Sequence, residues 1–251
     1  MTDQPVLAVE HLGLQIGGAR IIDDVSLQVG KGEMLGVIGP NGAGKTTLFN
    51  LISGVMTPTE GTVLLEGNDV TADPIDKRAR AGLGRTFQTS SIFPALSALE
   101  NVRLAAQVAL GQSISLLRFP RGTDDATRIA QERLDEVGLT KHLTTSAGVL
   151  SHGDKRKLEI AMLLAGDPRV ILLDEPMAGV GSADVPGLSA VIDQVHKSGR
   201  TVLMVEHHMD VLLGLVDRVA VMHHGQLLAV DTPSAIMANP VVQTAYLGET
   251  V

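Results

Sequence analysis

Eight residues, Gly39-Pro40-Asn41-Gly42-Ala43-Gly44-Lys45-Thr46, constrain this chain more than any others, because they fit the phosphate-cradling pattern GxxxxGK[ST] without a mismatch. The glycines let the backbone bend so that successive N–H groups face phosphate oxygens, and Lys45 adds a positive charge toward the terminal phosphates. Thr46 can place its hydroxyl on Mg²⁺. Met34-Leu35-Gly36-Val37-Ile38 reads as a short buried strand before the loop, and Thr47 to Ser53 as the helix after it. That helix aims its N-terminus, beginning at Thr47, at the phosphates. The expectation is a nucleotide-binding protein with residues 39–47 around the phosphates.

The rest of the chain alternates in character. Leu7 to Val9 and Ile21 to Val29 are strand-like runs separated by turn residues, and Gly61 to Gly67 brackets another strand, so a small antiparallel sheet is expected near the loop. From about Thr89 to Val149, Leu99 to Leu110 and Asp124 to Val137 carry apolar residues at helical spacing, which predicts an inserted helical subdomain. Val170 to Leu173 and Thr201 to Val205 are short β-rich runs around the helical pattern Val185 to Lys197, the βαβ rhythm of a parallel sheet. At 251 residues and 44% hydrophobic, the chain can bury a substantial core. No apolar run reaches the roughly 18 residues that span a bilayer, so any membrane role is expected to be peripheral. With 20 basic against 28 acidic residues and five aromatics, nothing resembles a nucleic-acid surface. The absence of cysteine suits a reducing compartment.

Arg169-Val170-Ile171-Leu172-Leu173-Asp174-Glu175 reads as a buried strand ending in two carboxylates. Alone, such a pair is a solvated turn leading to Pro176; beside a phosphate loop it sits where an α/β sheet binds ligands. Strand neighbours point to opposite faces, so the two acids can divide the labour: Asp174 holding Mg²⁺, directly or through water, and Glu175 polarising the attacking water as general base. Ser151 is placed to cap a helix over Lys155 to Ala165, and Gly153 permits close approach of the backbone to an anion.

The order of phosphate loop, Gln88, the Ser151-His152-Gly153 element, the Asp174-Glu175 strand and His207 resembles the ATP-binding cassette ATPases of membrane transporters over nearly the whole chain. The resemblance implies an α/β fold. Its core would be a P-loop NTPase (RecA-like), mainly parallel sheet, formed by residues 1–88 and 150–251 with an N-terminal antiparallel β subdomain. A helical subdomain over 89–149 would be inserted in it, all within one ATPase domain spanning 1–251. It implies ATP and Mg²⁺ as ligands and a head-to-tail dimer, homomeric or with a paralogue, in which Ser151 and Gly153 of one subunit cap the γ-phosphate held by the loop of the other. By the same resemblance Gln88 touches Mg²⁺ or water and links to the helical subdomain, while His207 contacts the γ-phosphate and orients the water. Integral membrane permease subunits would dock on the helical subdomain at the cytoplasmic face, with a solute-binding protein as an indirect partner.

Several residues depart from that pattern. Ile16 stands before Gly17-Gly18 where the family usually offers an aromatic ring to the adenine, so weak discrimination between ATP and GTP is expected. Gly181 replaces a more usual Asp or Asn. His152 and Asp154 replace Gly and Gln in the Ser-x-Gly element, without removing its hydroxyl or backbone N–H groups. Arg85-Thr86-Phe87-Gln88, Leu158-Glu159-Ile160-Ala161, Glu206-His207 with Met209, and the end Ala245-Tyr246-Leu247-Gly248-Glu249 together resemble importers of branched-chain amino acids and their relatives for urea and amides. ATPases of lipopolysaccharide export share a similar ending and form the alternative, and a soluble non-transport cassette ATPase is the next.

Overall fold

Two sheets, one antiparallel and one mainly parallel, organise the computed structural model, which describes residues 4–86, 91–111 and 124–247. The chain begins with β1 (Leu7–Ile16) and β2 (Ala19–Val29), then β3 (Met34–Ile38) leads through the phosphate loop into α1 (Lys45–Ser53). β4 (Glu60–Leu65), β5 (Asn68–Asp69), α2 (Ile75–Arg80) and β6 (Leu83–Arg85) follow, then α3 (Ala98–Ala109), α4 (Asp125–Glu136) and α5 (His152–Leu164). The second half alternates β7 (Val170–Asp174), α6 (Val185–Lys197), β8 (Thr201–Val205) and α7 (Met209–Leu215), and closes with β9 (Arg218–His223), β10 (Gln226–Asp231), α8 (Pro233–Ala238) and α9 (Pro240–Leu247).

The antiparallel sheet runs β2-β1-β4-β5, and the larger sheet runs β10-β9-β3-β8-β7-β6 with only β10 antiparallel to its neighbour. The central strands β3, β7 and β8 are buried at every residue, as strands covered on both faces must be. Their alternation divides two cores. Ile171, Leu173, Val202 and Met204 face the helices α3 to α7, whereas Val170, Leu172, Leu203 and Val205 face Leu48, Phe49 and Ile52 of α1 and the antiparallel sheet. The α1 layer is thereby enclosed between two sheets. Its C-terminus is sealed by the buried Arg78, which donates to the carbonyls of Leu51 (2.7 Å) and Ile52 (2.6 Å).

The mainly parallel P-loop core, the antiparallel sheet and the group of helices agree with the expected fold class. Two elements differ in extent. β1 covers ten residues where the pattern marks only Leu7 to Val9, because register shifts after Val9 and Leu12 break the period-2 alternation that identifies a strand. The helix after the phosphate loop starts at Lys45, two residues before the expected Thr47: Gly44 takes the left-handed turn (φ 99°) and its carbonyl already accepts from Leu48 N at 2.8 Å. In the helical region α3 begins in a capping box, Ser97 and Glu100 each accepting from the other's backbone N–H, and α4 is capped by Asp124 on Thr127 N.

Candidate functional site

Because β3, β6, β7 and β8 are mutually parallel in one sheet, their carboxyl ends emerge along a single edge. There they deliver the phosphate loop, Thr86, Glu175 and Glu206-His207 to a common place. The loop is held tightly. Gly39 has φ 155°, and a Cβ there would lie 2.2 Å from the carbonyl oxygen of Met222, so only glycine fits. Gly225, in the turn after β9, donates its N–H to Ala43 O at 3.1 Å and braces the loop from outside. Pro40, Asn41 and Gly42 form the outer arm, and Gly44 closes it onto α1. Lys45 lies buried and donates from Nζ to Gly39 O (2.6 Å) and Pro40 O (3.0 Å). Burial holds its ammonium below the ordinary lysine range, opposed in part by the negative charge of Glu175. Thr46 is exposed and Thr47 half-buried on the first turn of α1.

Asp174 shares a strand face with Val170 and Leu172, which points it at α1. One carboxylate oxygen pairs with Arg85 Nη2 at 2.8 Å, with the two side chains 7% and 1% exposed. Arg85 also donates to Asn50 Oδ1 (2.8 Å) and Ser53 Oγ (2.7 Å) on α1. The other oxygen, Asp174 Oδ1, is buried and has no hydrogen-bond partner. A buried, unpartnered carboxylate oxygen is costly unless something else occupies it, and it suits a hard divalent cation or a cation-bound water. These residues fit Mg²⁺.

Glu175 does not continue the strand. It adopts φ 50°, left-handed for a residue with a side chain, and its N–H donates to Val205 O at 2.9 Å across to β8. The two carboxylates therefore diverge through a turn and not through the expected strand alternation: Asp174 stays under the sheet edge and Glu175 turns outward. Glu175 Oε1 meets His207 Nε2 at 3.0 Å, bringing together the two residues assigned to activating water. His207 follows Glu206, whose carboxylate is buried and accepts from the N–H of Met177, His207 and His208 and from His208 Nδ1.

Ser151 caps α5 as expected, its Oγ accepting from Asp154 N at 3.1 Å, and it remains exposed. Gly153 is buried, and a Cβ there would sit 2.7 Å from Cβ of Asp184, the residue that precedes α6. Close packing of α5 against α6 requires the missing side chain. Ile16 is 51% exposed at the β1–β2 turn, an open apolar surface. Gly181 has open space where a side chain would be. Gln88 lies outside the described residues. Among the described residues no group of three or more His, Cys, Asp or Glu is placed to hold a metal ion. Sequence reasoning missed Arg85 and Glu206 as site supports. Their only signal is a lone charge at the end of an apolar strand, which must find a partner if buried.

A family model described as ABC transporter matches residues 22–178, and one described as branched-chain amino acid ATP-binding cassette transporter matches residues 226–251. The high-affinity branched-chain amino acid transport ATP-binding protein BraF of Pseudomonas aeruginosa is 38% identical over 98% of this chain and 99% of its own length. The corresponding LivG protein of Escherichia coli is 37% identical over the same shares. The ADP conformation of an ATP-binding cassette of an ABC transporter superposes with a TM-score of 0.86 at 29% identity, covering 98% of this chain and 100% of the other. A nucleotide-free cassette gives 0.85 at 28% identity, with the same coverage. The phosphate loop, the carboxylates at the end of β7 and just beyond it, and the histidine after β8 thus sit in a chain that belongs to the ABC transporter family as one of its ATP-binding cassettes.

Proposed function

We propose that this chain is the ATP-hydrolysing subunit of an importer for branched-chain amino acids, working as a dimer on the cytoplasmic face of a membrane. The observation that carries the chemistry is the convergence of Lys45, Glu175 and His207 at one sheet edge, with Glu175 both 3.0 Å from His207 and acting on the charge of Lys45. The branched-chain amino acid transport function of BraF and LivG and the match over residues 226–251 support the solute class.

In this reading residues 39–47 cradle the phosphates, and Lys45 leaves its loop carbonyls to meet the terminal phosphate oxygens. Thr46, Asp174 through its unpartnered Oδ1, and Gln88 would hold Mg²⁺, which neutralises charge on the β- and γ-phosphates. Glu175 accepts a proton from the water attacking the γ-phosphorus as the bond to the bridging oxygen breaks, releasing ADP and phosphate. His207, donating from Nε2 to one Glu175 oxygen, leaves the other free for that water. Lys45, Ser151 of the opposing subunit and His207 stabilise the negative charge that gathers on the γ-phosphate.

The core comprises residues 1–88 and 150–251, and residues 89–149 form the helical subdomain that docks the membrane permease subunits. A cavity of about 230 Å³ between α3, α5 and β6, lined by Ala105, Glu159, Met162 and Leu163, supports that docking face, and Glu159 Oε1 there is buried without a partner. Among the described residues no helix is long and apolar enough to cross a membrane, which is consistent with peripheral attachment. The decisive experiment is Glu175→Gln. It is expected to abolish turnover, retain ATP binding and trap an ATP-dependent dimer; turnover at the wild-type rate refutes the role of Glu175.

A further inference from the structure

Glu206 is a charged side chain, 3% exposed, at the carboxyl end of β8. Burying a carboxylate costs several kcal/mol unless hydrogen bonds replace its water. Here Oε2 accepts from Met177 N at 3.0 Å. Oε1 accepts from His207 N (3.0 Å), His208 N (3.3 Å) and His208 Nδ1 (2.9 Å). Four N–H groups from two separate segments thus converge on one anion.

Those segments are the ones that carry the reaction. Glu175 sits in a left-handed conformation that an L residue adopts only when its surroundings impose it. It is tied on one side by its own N–H to Val205 O (2.9 Å), and two residues later the chain is tied again by Met177 N to Glu206. Both anchors belong to consecutive residues, Val205 at the end of β8 and Glu206 directly after it. The same carboxylate fixes the backbone at His207, whose ring meets Glu175 at 3.0 Å. The Glu206 carboxylate bonds to neither the Glu175 carboxylate nor the His207 ring, yet it holds the backbone on both sides of that pair.

We propose that Glu206 is a positioning residue for hydrolysis: its buried carboxylate sets the distance and orientation of Glu175 relative to His207 by holding the backbone on both sides. This rests on the reading of Glu175 and His207 given above. A carboxylate is required because all four partners are donors. A glutamine would turn an NH₂ group toward N–H groups at one end and break that set while preserving volume.

The test is a double-mutant cycle of Glu206→Gln and His207→Ala, with steady-state ATPase kinetics and nucleotide binding measured for each protein. Glu206→Gln is expected to lower kcat about 10- to 100-fold with KM for ATP within about twofold, and to lower it less than about twofold further in the His207→Ala background. A kcat near wild type, or an equal loss in both backgrounds, overturns the proposal. Full turnover in His207→Ala alone removes the underlying site reading, and the proposal with it, whereas strong loss in His207→Ala beside normal Glu206→Gln isolates the failure to Glu206. Should Glu206→Gln not fold, amide hydrogen exchange on the wild-type chain decides. The Met177, His207 and His208 amides must exchange slowly, and exchange at the rate of open loops overturns the proposal.

Discussion

Replacing Arg85 with methionine separates the electrostatic role of the site's support from its packing. The guanidinium is 6.0 Å from the Phe49 ring centroid, and a methionine stem keeps apolar contact in that place. Ser53 Oγ retains its bond to Phe49 O at 2.7 Å. Beside the hydrogen bonds to Asn50 Oδ1 and Ser53 Oγ, the main loss is the counter-charge of Asp174, whose side chain is 1% exposed. Removing one partner of a buried ion pair costs about 3–5 kcal/mol, because the other charge stays behind without water. That is a large share of the roughly 5–15 kcal/mol that stabilises a domain. For a chain of this size it lowers Tm by about 6 to 20 °C. Thermal unfolding and urea titration read the loss. Adding Asp174→Asn should recover more than half of it, since a neutral amide needs no counter-charge, although nucleotide hydrolysis stays lost in the double variant. A loss below about 1 kcal/mol for Arg85→Met, or a double variant as unstable as the sum of the singles, refutes the reasoning.

Three further outcomes are expected. Burial depresses the Lys45 ammonium below its ordinary 10.5, and the charged form is the one that meets phosphate, so ATP affinity falls as pH rises toward that value and earlier than an exposed lysine would dictate. Over the same range stability gains from this group, because the unfolded chain holds the proton more tightly; nucleotide titrations from neutral to alkaline pH that stay flat count against it. Gly153→Ala forces a Cβ to 2.7 Å from that of Asp184. It should lower turnover about tenfold with monomer ATP binding intact, and Asp184→Gly should restore it in a coupled-enzyme assay. Hydrogen bonds from the Ser97 N–H and hydroxyl hold Glu100 below the usual glutamate value. Ser97→Ala therefore costs about 1 kcal/mol at neutral pH, a difference that fades as acid passes through the folded Glu100 value.

Ile16 carries its own consequence. With no ring at this half-exposed position, comparable GTP and ATP turnover is expected, and a strong ATP preference shows that another group reads the base.

The phosphate loop, the strand before it and the pair of acids at the end of β7 were legible in the residue order because each obeys a local rule. Glycines mark the turn, an unbroken apolar run marks a strand buried on both faces, and acids at its end mark the ligand edge. β1 was only partly legible since its bulges break the alternation, and α1 began earlier than its pattern because a left-handed glycine needs no helical neighbour before it. At Gly153 the residue order does not show the steric demand that the packing adds, a Cβ there meeting that of Asp184 at 2.7 Å.

What the sequence alone determined is the set of residues and their order: a phosphate-loop pattern, an apolar strand closing in two acids, and a histidine after a second apolar strand. Tertiary structure decided how they act together. Whether Arg85 meets Asp174, whether Glu175 turns out of its strand and whether Glu206 gathers N–H groups from two segments depends on residues 29 to 89 positions apart. No local periodicity encodes such contacts. They form only when parallel strands bring their carboxyl ends to one edge, where burial strips water from charges and makes each demand a partner.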